Sequence, residues 1–263
     1  MNNRTRLLKQ ILILAGMMLA VVSLSAQNQD PDYELTAKAK HNASGQGRRF
    51  TVGVAFGPGI DWLQPKTKDY NRDGAVFNFR AGVNFDVNFT QATYYYFSTG
   101  LFFHYDGGRL AFRDFATIDS IPMAADISRR YKAYYLTIPT GIKLKTPDFN
   151  NFVIAANFGM YHSFLLSSSV KDKVSIEAAG EMVEISPERI GHAETRPLKI
   201  REAIYAGLGL EYIIRGDFRA FFYANFSHTF TNFFNGQKCW NGISGEREIA
   251  KLNSVEFIVG LNF

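Results

Sequence analysis

The stretch of residues 77–89 limits the possible folds most, because apolar residues alternate with polar or small ones along its whole length. Neighbouring side chains of a β-strand point to opposite faces, so this segment would have one apolar and one polar face. It is also longer than the roughly 9–11 residues that a strand needs to cross a bilayer. The alternation therefore predicts a membrane-crossing strand.

The same alternation recurs along the rest of the chain and gives eight predicted strands. They cover residues 50–57, 77–89, 97–104, 134–145, 152–161, 204–212, 218–230 and 255–263. The apolar face of each strand can be identified from the sequence except in 218–230, where aromatic residues are too frequent.

Short and long connections alternate between these strands. The short ones are 90–93, 146–151 and 215–217, and the long ones are 61–74, 107–130, 165–200 and 231–253. Short turns on one side and long loops on the other are typical of outer-membrane barrels. We therefore predict an all-β fold: an eight-stranded antiparallel up-and-down transmembrane β-barrel. The rival fold is a soluble β-sandwich, whose apolar faces would point inward.

The N-terminal 26 residues have the plan of a cleavable signal peptide. Arg4, Arg6 and Lys9 precede an apolar run, and small residues lead to a predicted cleavage after Ala26. An uncleaved membrane anchor is the alternative. Residues 27–48 are polar and predict a flexible periplasmic lead-in, which leaves 49–263 for the barrel.

The predicted mature chain is nearly neutral. The signal segment holds three of the 29 Lys and Arg residues and no Asp or Glu, which leaves 26 basic against 24 acidic residues. The sequence contains no clustered basic stripe. We therefore expect no nucleic acid partner.

The predicted external loops hold the candidate contact residues. Trp240 is either an anchor for a partner or an aromatic at the membrane interface. Cys239 is the only cysteine, which favours a free thiol over an intermolecular bridge or a reactive site. No zinc-type spacing occurs, and we expect no metal or cofactor. The charged stretch 165–200 is either a partner site or a solvated surface. Within it, 174–176 and 182–185 predict a protruding hairpin around Gly180.

Charged residues on the polar strand faces predict a filled lumen. An eight-stranded barrel is just wide enough for side chains to fill it, and a charge buried there needs a partner. We predict a lumen charge network in which Lys143 pairs with Asp86 and Glu211, and Arg80 pairs with Glu256. A proton or ion path is the alternative to this structural plug.

We expect no catalytic residues. Two pairs of adjacent His and Ser residues are present: His162-Ser163 and Ser227-His228. Adjacent residues of a strand face opposite sides, so neither pair forms a dyad by itself. His104 and Asp106 share a face near the predicted outer rim, and they are the candidate pair for a lipid-modifying enzyme.

Five short motifs are spread over most of the predicted mature chain. They are Tyr135-Leu136-Thr137-Ile138-Pro139 with Lys143 after it, Lys143-Leu144-Lys145-Thr146, Gly207-Leu208-Gly209-Leu210-Glu211-Tyr212, Phe230-Thr231-Asn232 and Gly260-Leu261-Asn262-Phe263. In their order and spacing they resemble the PorT-like outer-membrane β-barrel family of Gram-negative bacteria. Thr137 stands where that family usually has Glu, so no role of that carboxylate is carried over.

The resemblance implies an eight-stranded outer-membrane barrel, and a few members of the family serve protein secretion. The terminal Phe263 on an amphipathic strand resembles the signal read by the barrel-assembly machinery, which is therefore an expected partner during insertion. Outer-membrane lipid and other outer-membrane or secretion-system proteins are the further expected partners. We predict a non-enzymatic outer-membrane protein with a structural or partner-binding role. An accessory barrel of a secretion system and a rim-active lipid-modifying enzyme are the alternatives.

Two features do not fit the alternation. The uncharged stretch 149–170 resembles a transmembrane helix, but Asn150, Asn151, Asn157 and Gly159 favour a strand. Pro139 cannot donate a hydrogen bond to a strand neighbour, which predicts a local bulge or a missing bond there.

Overall fold

The computed structural model describes residues 50–89, 94–118, 121–178, 181–185, 197–235, 243 and 245–263. The predicted signal peptide (1–26), the lead-in (27–48), Cys239 and Trp240 lie outside these residues. Ten strands are present in the described ranges: β1 (Phe50–Pro65), β2 (Asn71–Arg72), β3 (Val76–Asn88), β4 (Tyr95–Ile118), β5 (Ile121–Lys145), β6 (Phe152–Ala178), β7 (Glu181–Ile185), β8 (Ile200–Arg215), β9 (Phe218–Thr229) and β10 (Ala250–Asn262).

Eight of these strands close into a ring in which all neighbours are antiparallel. The order around the ring is β1, β3, β4, β5, β6, β8, β9 and β10, and β10 pairs again with β1. The short strands β2 and β7 are additional partners of β4 and β6. The predicted eight antiparallel up-and-down strands are confirmed, and the rival β-sandwich is wrong because the sheet closes on itself.

Most large apolar side chains point away from the ring, and most of the side chains that point into it are polar or small. On β3, Phe77 is 58% exposed, whereas Asn78 and Asp86 are fully buried. On β9, Phe222 and Phe226 are exposed, whereas Phe221 and Tyr223 are buried. Aromatic residues on both faces of β9 explain why its apolar face cannot be identified from the sequence.

The four predicted long connections are wrong in extent, because each of them is partly strand. The residues 107–130 form the outer parts of β4 and β5, which remain paired up to Ile118↔Ile121. β6 continues to Ala178, and the predicted hairpin is confirmed by the pairing of Val174 with Ile185 in β7. Likewise β1 runs on to Pro65, and β10 begins at Ala250.

These extensions form what we call the extended end of the ring, and it has a hydrophobic core of its own. The buried members of this core are Leu63, Tyr70, Leu110, Phe112, Ala125, Ile127, Tyr131, Val174, Phe233, Phe234, Ala250 and Leu252. On β4, the apolar residues Leu101 and Phe103 point outward, but the apolar residues Leu110 and Phe112 point inward. The alternation thus changes its apolar side at the extended end, which is why the sequence there does not look like the rest of the barrel.

The two irregular features both lie in regular strands. The uncharged stretch 149–170 belongs mainly to β6. No helix in the described ranges is long and apolar enough to cross a membrane. Around Pro139 the β4–β5 pairing passes from Thr99↔Thr140 to Phe102↔Thr137 without intervening pairs. The predicted interruption of strand pairing at Pro139 is therefore present, and the register is the same on both sides of it. A bulge occurs at a different place, between Tyr134 and Tyr135 in the pairing of β5 with β6.

Candidate functional site in the interior of the ring

The predicted partners Arg80 and Glu256 meet inside the ring, with Nη2 of Arg80 2.7 Å from Oε2 of Glu256. They come from β3 and β10, which flank β1 on opposite sides. Gly57 is opposite Arg80, and Gly59 is opposite Glu256. A Cβ at Gly57 would lie 3.4 Å from Cγ of Arg80, and one at Gly59 would lie 3.0 Å from Cα of Glu256. The two glycines therefore leave the space through which the ion pair forms across β1.

Asp86, Lys143 and Glu211 are also buried inside the ring, and Lys145 is buried beside them. Nζ of Lys143 lies 2.5 Å from Oδ2 of Asp86, as the sequence predicts. The direct ion pair of Glu211 is made by Lys145 instead of the predicted Lys143: Nζ of Lys145 lies 2.9 Å from Oε2 of Glu211, and Lys143 interacts with Glu211 only at longer range. Tyr223 also donates to Glu211, at 2.7 Å.

The strand register explains why Lys145 replaces Lys143. Lys145 is opposite Ala155 of β6, and Ala155 is opposite Gly209 of β8. Lys145 is thus level with Gly209, and by the same register Lys143 is level with Gly207. Glu211 is therefore one inward-facing position away from the level of Lys145 and two away from the level of Lys143. The sequence gives the face of each residue, but this stagger between strands is not visible in it.

A second buried polar group lies next to Glu256, and the sequence indicates it only in part. Nε2 of His104 is 2.8 Å from Oε1 of Glu256 and 3.0 Å from Oδ1 of Asp106. The guanidinium of Arg201 binds the other oxygen of Asp106. Asp61, predicted to begin a loop, is fully buried here and accepts a hydrogen bond from Gly107 N at 3.0 Å.

Aromatic rings fill the remaining space between these ionic groups. Tyr161 and Tyr205 are stacked with ring centroids 4.2 Å apart, and the Arg80 guanidinium lies 4.2 Å from the Tyr161 ring. An internal cavity of about 60 Å³ is lined by Arg80, Lys143, Phe102 and Tyr161, among others. Such a volume holds on the order of two water molecules. The interior of the ring therefore holds its charges in fixed pairs, with aromatic rings packed between them.

The family comparison fits this architecture. The family model described as outer membrane protein beta-barrel domain matches residues 24–235, which is most of the chain. The chain belongs to this family. Because of this membership, we assign the protein to the outer membrane. No curated protein sequence matches the chain significantly.

Several solved outer-membrane barrels are similar to this chain in fold, and in each comparison below the match covers 82% of this chain. Ail of Yersinia pestis has 10% sequence identity, 100% coverage of its own chain and a TM-score of 0.36. Neisserial surface protein A has 7% identity, 98% coverage and a TM-score of 0.37, and OprG of Pseudomonas aeruginosa has 10% identity, 97% coverage and a TM-score of 0.36. At these identities and TM-scores the likeness carries no argument about what the barrel binds or does.

The extended end of the barrel contains a further buried ion pair that sequence reasoning missed. Nε and Nη2 of Arg129 donate to the two carboxylate oxygens of Asp172 at 2.7 and 2.8 Å. Burial opposes the charge of Arg129, but its hydrogen bonds with Asp172 leave its pKa above the usual value. Burial also raises the pKa of Glu248, although Tyr70 donates a hydrogen bond to it at 2.7 Å.

The candidate catalytic pair, His104 and Asp106, is not at an exposed rim. His104 is 2% exposed and Asp106 is fully buried. His104 is bound to Glu256, and Asp106 is bound to Arg201. Trp240 and Cys239, the contact candidates that the sequence assigns to an external loop, lie outside the described residues and stay predictions. Among the residues that the structure describes, no group of His, Cys, Asp and Glu has the arrangement of a metal site.

Proposed function

We propose that this protein is a closed, non-enzymatic transmembrane barrel whose work is done by its extended end rather than by its lumen. The observation that carries the proposal is the filled interior: its charges are held in buried pairs, and the cavity beside Arg80 and Lys143 has a volume of about 60 Å³. A conducting pore needs a continuous water path, and an eight-stranded ring is just wide enough to be filled by side chains.

The extended end supports the second half of the proposal. Tyr131, Phe233 and Phe234 are buried together there, with centroid distances of 5.1 to 5.6 Å between their rings. Long paired strands with a packed inner face present a preformed surface, and a preformed surface loses little conformational entropy when it binds a partner. We assign this end to the cell exterior, because outer-membrane barrels carry their longer connections outside.

The enzymatic alternative has less support. A rim-active enzyme needs a reactive group that a lipid or peptide can reach. His104, the candidate base, has its Nε2 engaged by two carboxylates within the ring.

The proposal also includes the PorT-like assignment and the cleavable signal peptide, and both of these rest on sequence motifs alone. A secretion role would appear as loss of exported proteins from the medium of a deletion strain.

Planar-bilayer recording of the purified full chain tests the closed lumen. We expect no stable conductance from the wild-type barrel. The double variant Phe102→Ala/Tyr161→Ala removes two rings that line the cavity, and it is expected to conduct once heat-modifiable migration has shown that it is folded. A wild-type conductance as large as that of the double variant would refute the proposal.

A further inference from the structure

Six basic residues share the outward face of β4, β5 and β6 at the extended end. We call this surface the basic face; its members are Arg109, Arg113, Arg130, Lys132, Lys171 and Lys173. In the strand register, Arg109 is directly opposite Arg130, and Arg130 is directly opposite Lys171. Three positive charges therefore lie in one row across three neighbouring strands.

The rows on either side of these three charges add further basic residues. One row is Ala111, Ser128 and Lys173, and the other is Gly107, Lys132 and Ser169. Of the nine positions in the three rows, five are basic and none is acidic. Asp73 reaches this region from the loop after β2, where it accepts a hydrogen bond from Ser128 Oγ at 2.5 Å. The next row contains Asp126, which is 3.9 Å from Arg113.

Such an arrangement opposes folding when no anion is present. Like charges that are directly opposite each other on neighbouring strands destabilise a sheet. The inward residues of the same strands include the closely paired Arg129 and Asp172, so the fold accommodates a charge with a partner at this level. The central outward row, which consists of Arg109, Arg130 and Lys171, contains no carboxylate. This contrast points to an anion supplied from outside the chain.

The position of the basic face indicates where that anion lies. Tyr105 and Tyr134 are opposite each other on the outward face of β4 and β5, with ring centroids 5.1 Å apart. Lys132 lies two residues from Tyr134 on the side of the extended end, which is about 7 Å along the strand. Below the two tyrosines, Leu101 and Phe103 are 45% and 40% exposed. Tyrosines mark the boundary between lipid chains and head groups, so the basic face begins at the level of the head groups.

We propose that the basic face binds the phosphate groups of an anionic glycolipid in the outer leaflet that surrounds the barrel. Arg and Lys near a membrane surface attract anionic lipid, and the planar guanidinium of Arg binds phosphate through two hydrogen bonds. The basic face continues the lipid-facing side of the same strands, so a lipid packed against Phe103 and Tyr105 has its phosphates beside Arg109 and Arg130. A soluble polyanion would gain nothing from this continuity.

The test is binding of lipid A that carries two phosphates to the full chain in detergent, with dephosphorylated lipid A as the second ligand. The variant Arg130→Ala/Lys171→Ala removes two members of the central row. The control Lys66→Ala/Arg247→Ala also removes one Lys and one Arg, both exposed, from the β1–β10 side of the ring. We expect the row variant to weaken binding of the phosphorylated lipid on the order of 30-fold, at about fivefold for each basic residue. The control should keep the wild-type Kd.

Three results would overturn the inference. They are equal binding of phosphorylated and dephosphorylated lipid A by the wild type, equal losses in the row variant and the control, and binding of soluble heparin with no binding of lipid A. If the row variant does not fold, wild-type affinity for phosphorylated lipid A should still fall as ionic strength rises from about 0.05 M to about 0.2 M. A salt-independent affinity would also overturn the inference. None of these results depends on whether the lumen conducts.

Discussion

The buried ion pair between Arg129 and Asp172 gives the sharpest prediction about stability. The two residues are directly opposite each other on β5 and β6, and their side chains are 3% and 6% exposed. We consider the single variants Arg129→Met and Asp172→Leu and the double variant that combines them. Each single variant leaves a buried charge without its bidentate partner, whereas the double variant leaves neither charge.

The expected sizes of the effects follow from the surroundings of the pair. Loss of one partner of a buried pair costs about 3–5 kcal/mol, and replacing both by apolar residues is often neutral or stabilising. Arg129 also interacts with Glu248, which partly compensates the guanidinium when Asp172 is lost. Asp172→Leu should therefore lower the local stability by about 3 kcal/mol, and Arg129→Met should lower it by about 5 kcal/mol. The double variant should be more stable than either single variant.

Hydrogen exchange of residues 121–132 and 170–178 measures this region directly. A local loss of about 3 kcal/mol accelerates exchange through local opening on the order of 150-fold. The pair Arg113 and Asp126 is the control, because these side chains are 63% and 62% exposed and 3.9 Å apart. An exposed pair is worth about 1 kcal/mol or less.

The reasoning would be refuted if the effects of the two single variants simply added in the double variant. It would equally be refuted if the single variants exchanged at the wild-type rate, because the pair would then be solvated. A coupling energy as small as that of the exposed control pair would lead to the same conclusion.

Two further predictions concern the extended end. Phe234→Ala should lose about 3–5 kcal/mol of local stability, because the ring is 1% exposed, and proteolysis of the extended end in intact vesicles should increase. Phe115→Ala, which shortens a ring that is 41% exposed, is the control, and equal protease sensitivity of the two variants would contradict the prediction. For Glu248, the folded-state pKa is raised, so its contribution to stability is greatest below its ordinary pKa and is lost as the pH rises through the folded pKa. The variant Glu248→Gln should remove that part of the pH dependence in hydrogen exchange at the extended end, and unchanged pH profiles would count against it.

The sequence was sufficient for the strands and for the faces of their side chains, because period-two alternation is a local property. Arg80 and Glu256 could be paired from the sequence since both had to point into a narrow lumen. Glu211 was given the wrong partner because its contact with Lys145 depends on the stagger between β5, β6 and β8. The extents of the connections were wrong because the apolar side of the alternation switches where lipid is replaced by an internal core.

The alternating strand of residues 77–89 thus determined by itself that the chain would build an amphipathic sheet, since each residue's face follows from its parity. Only the tertiary structure decided that Glu211 pairs with Lys145 and that basic residues of three strands share one outward row. The sequence shows no clustered basic stripe, yet Arg109, Arg130 and Lys171 lie side by side on three strands. The physical reason is that strand pairing brings together residues that are about 20 and about 40 positions apart in the chain, and no local pattern records that register.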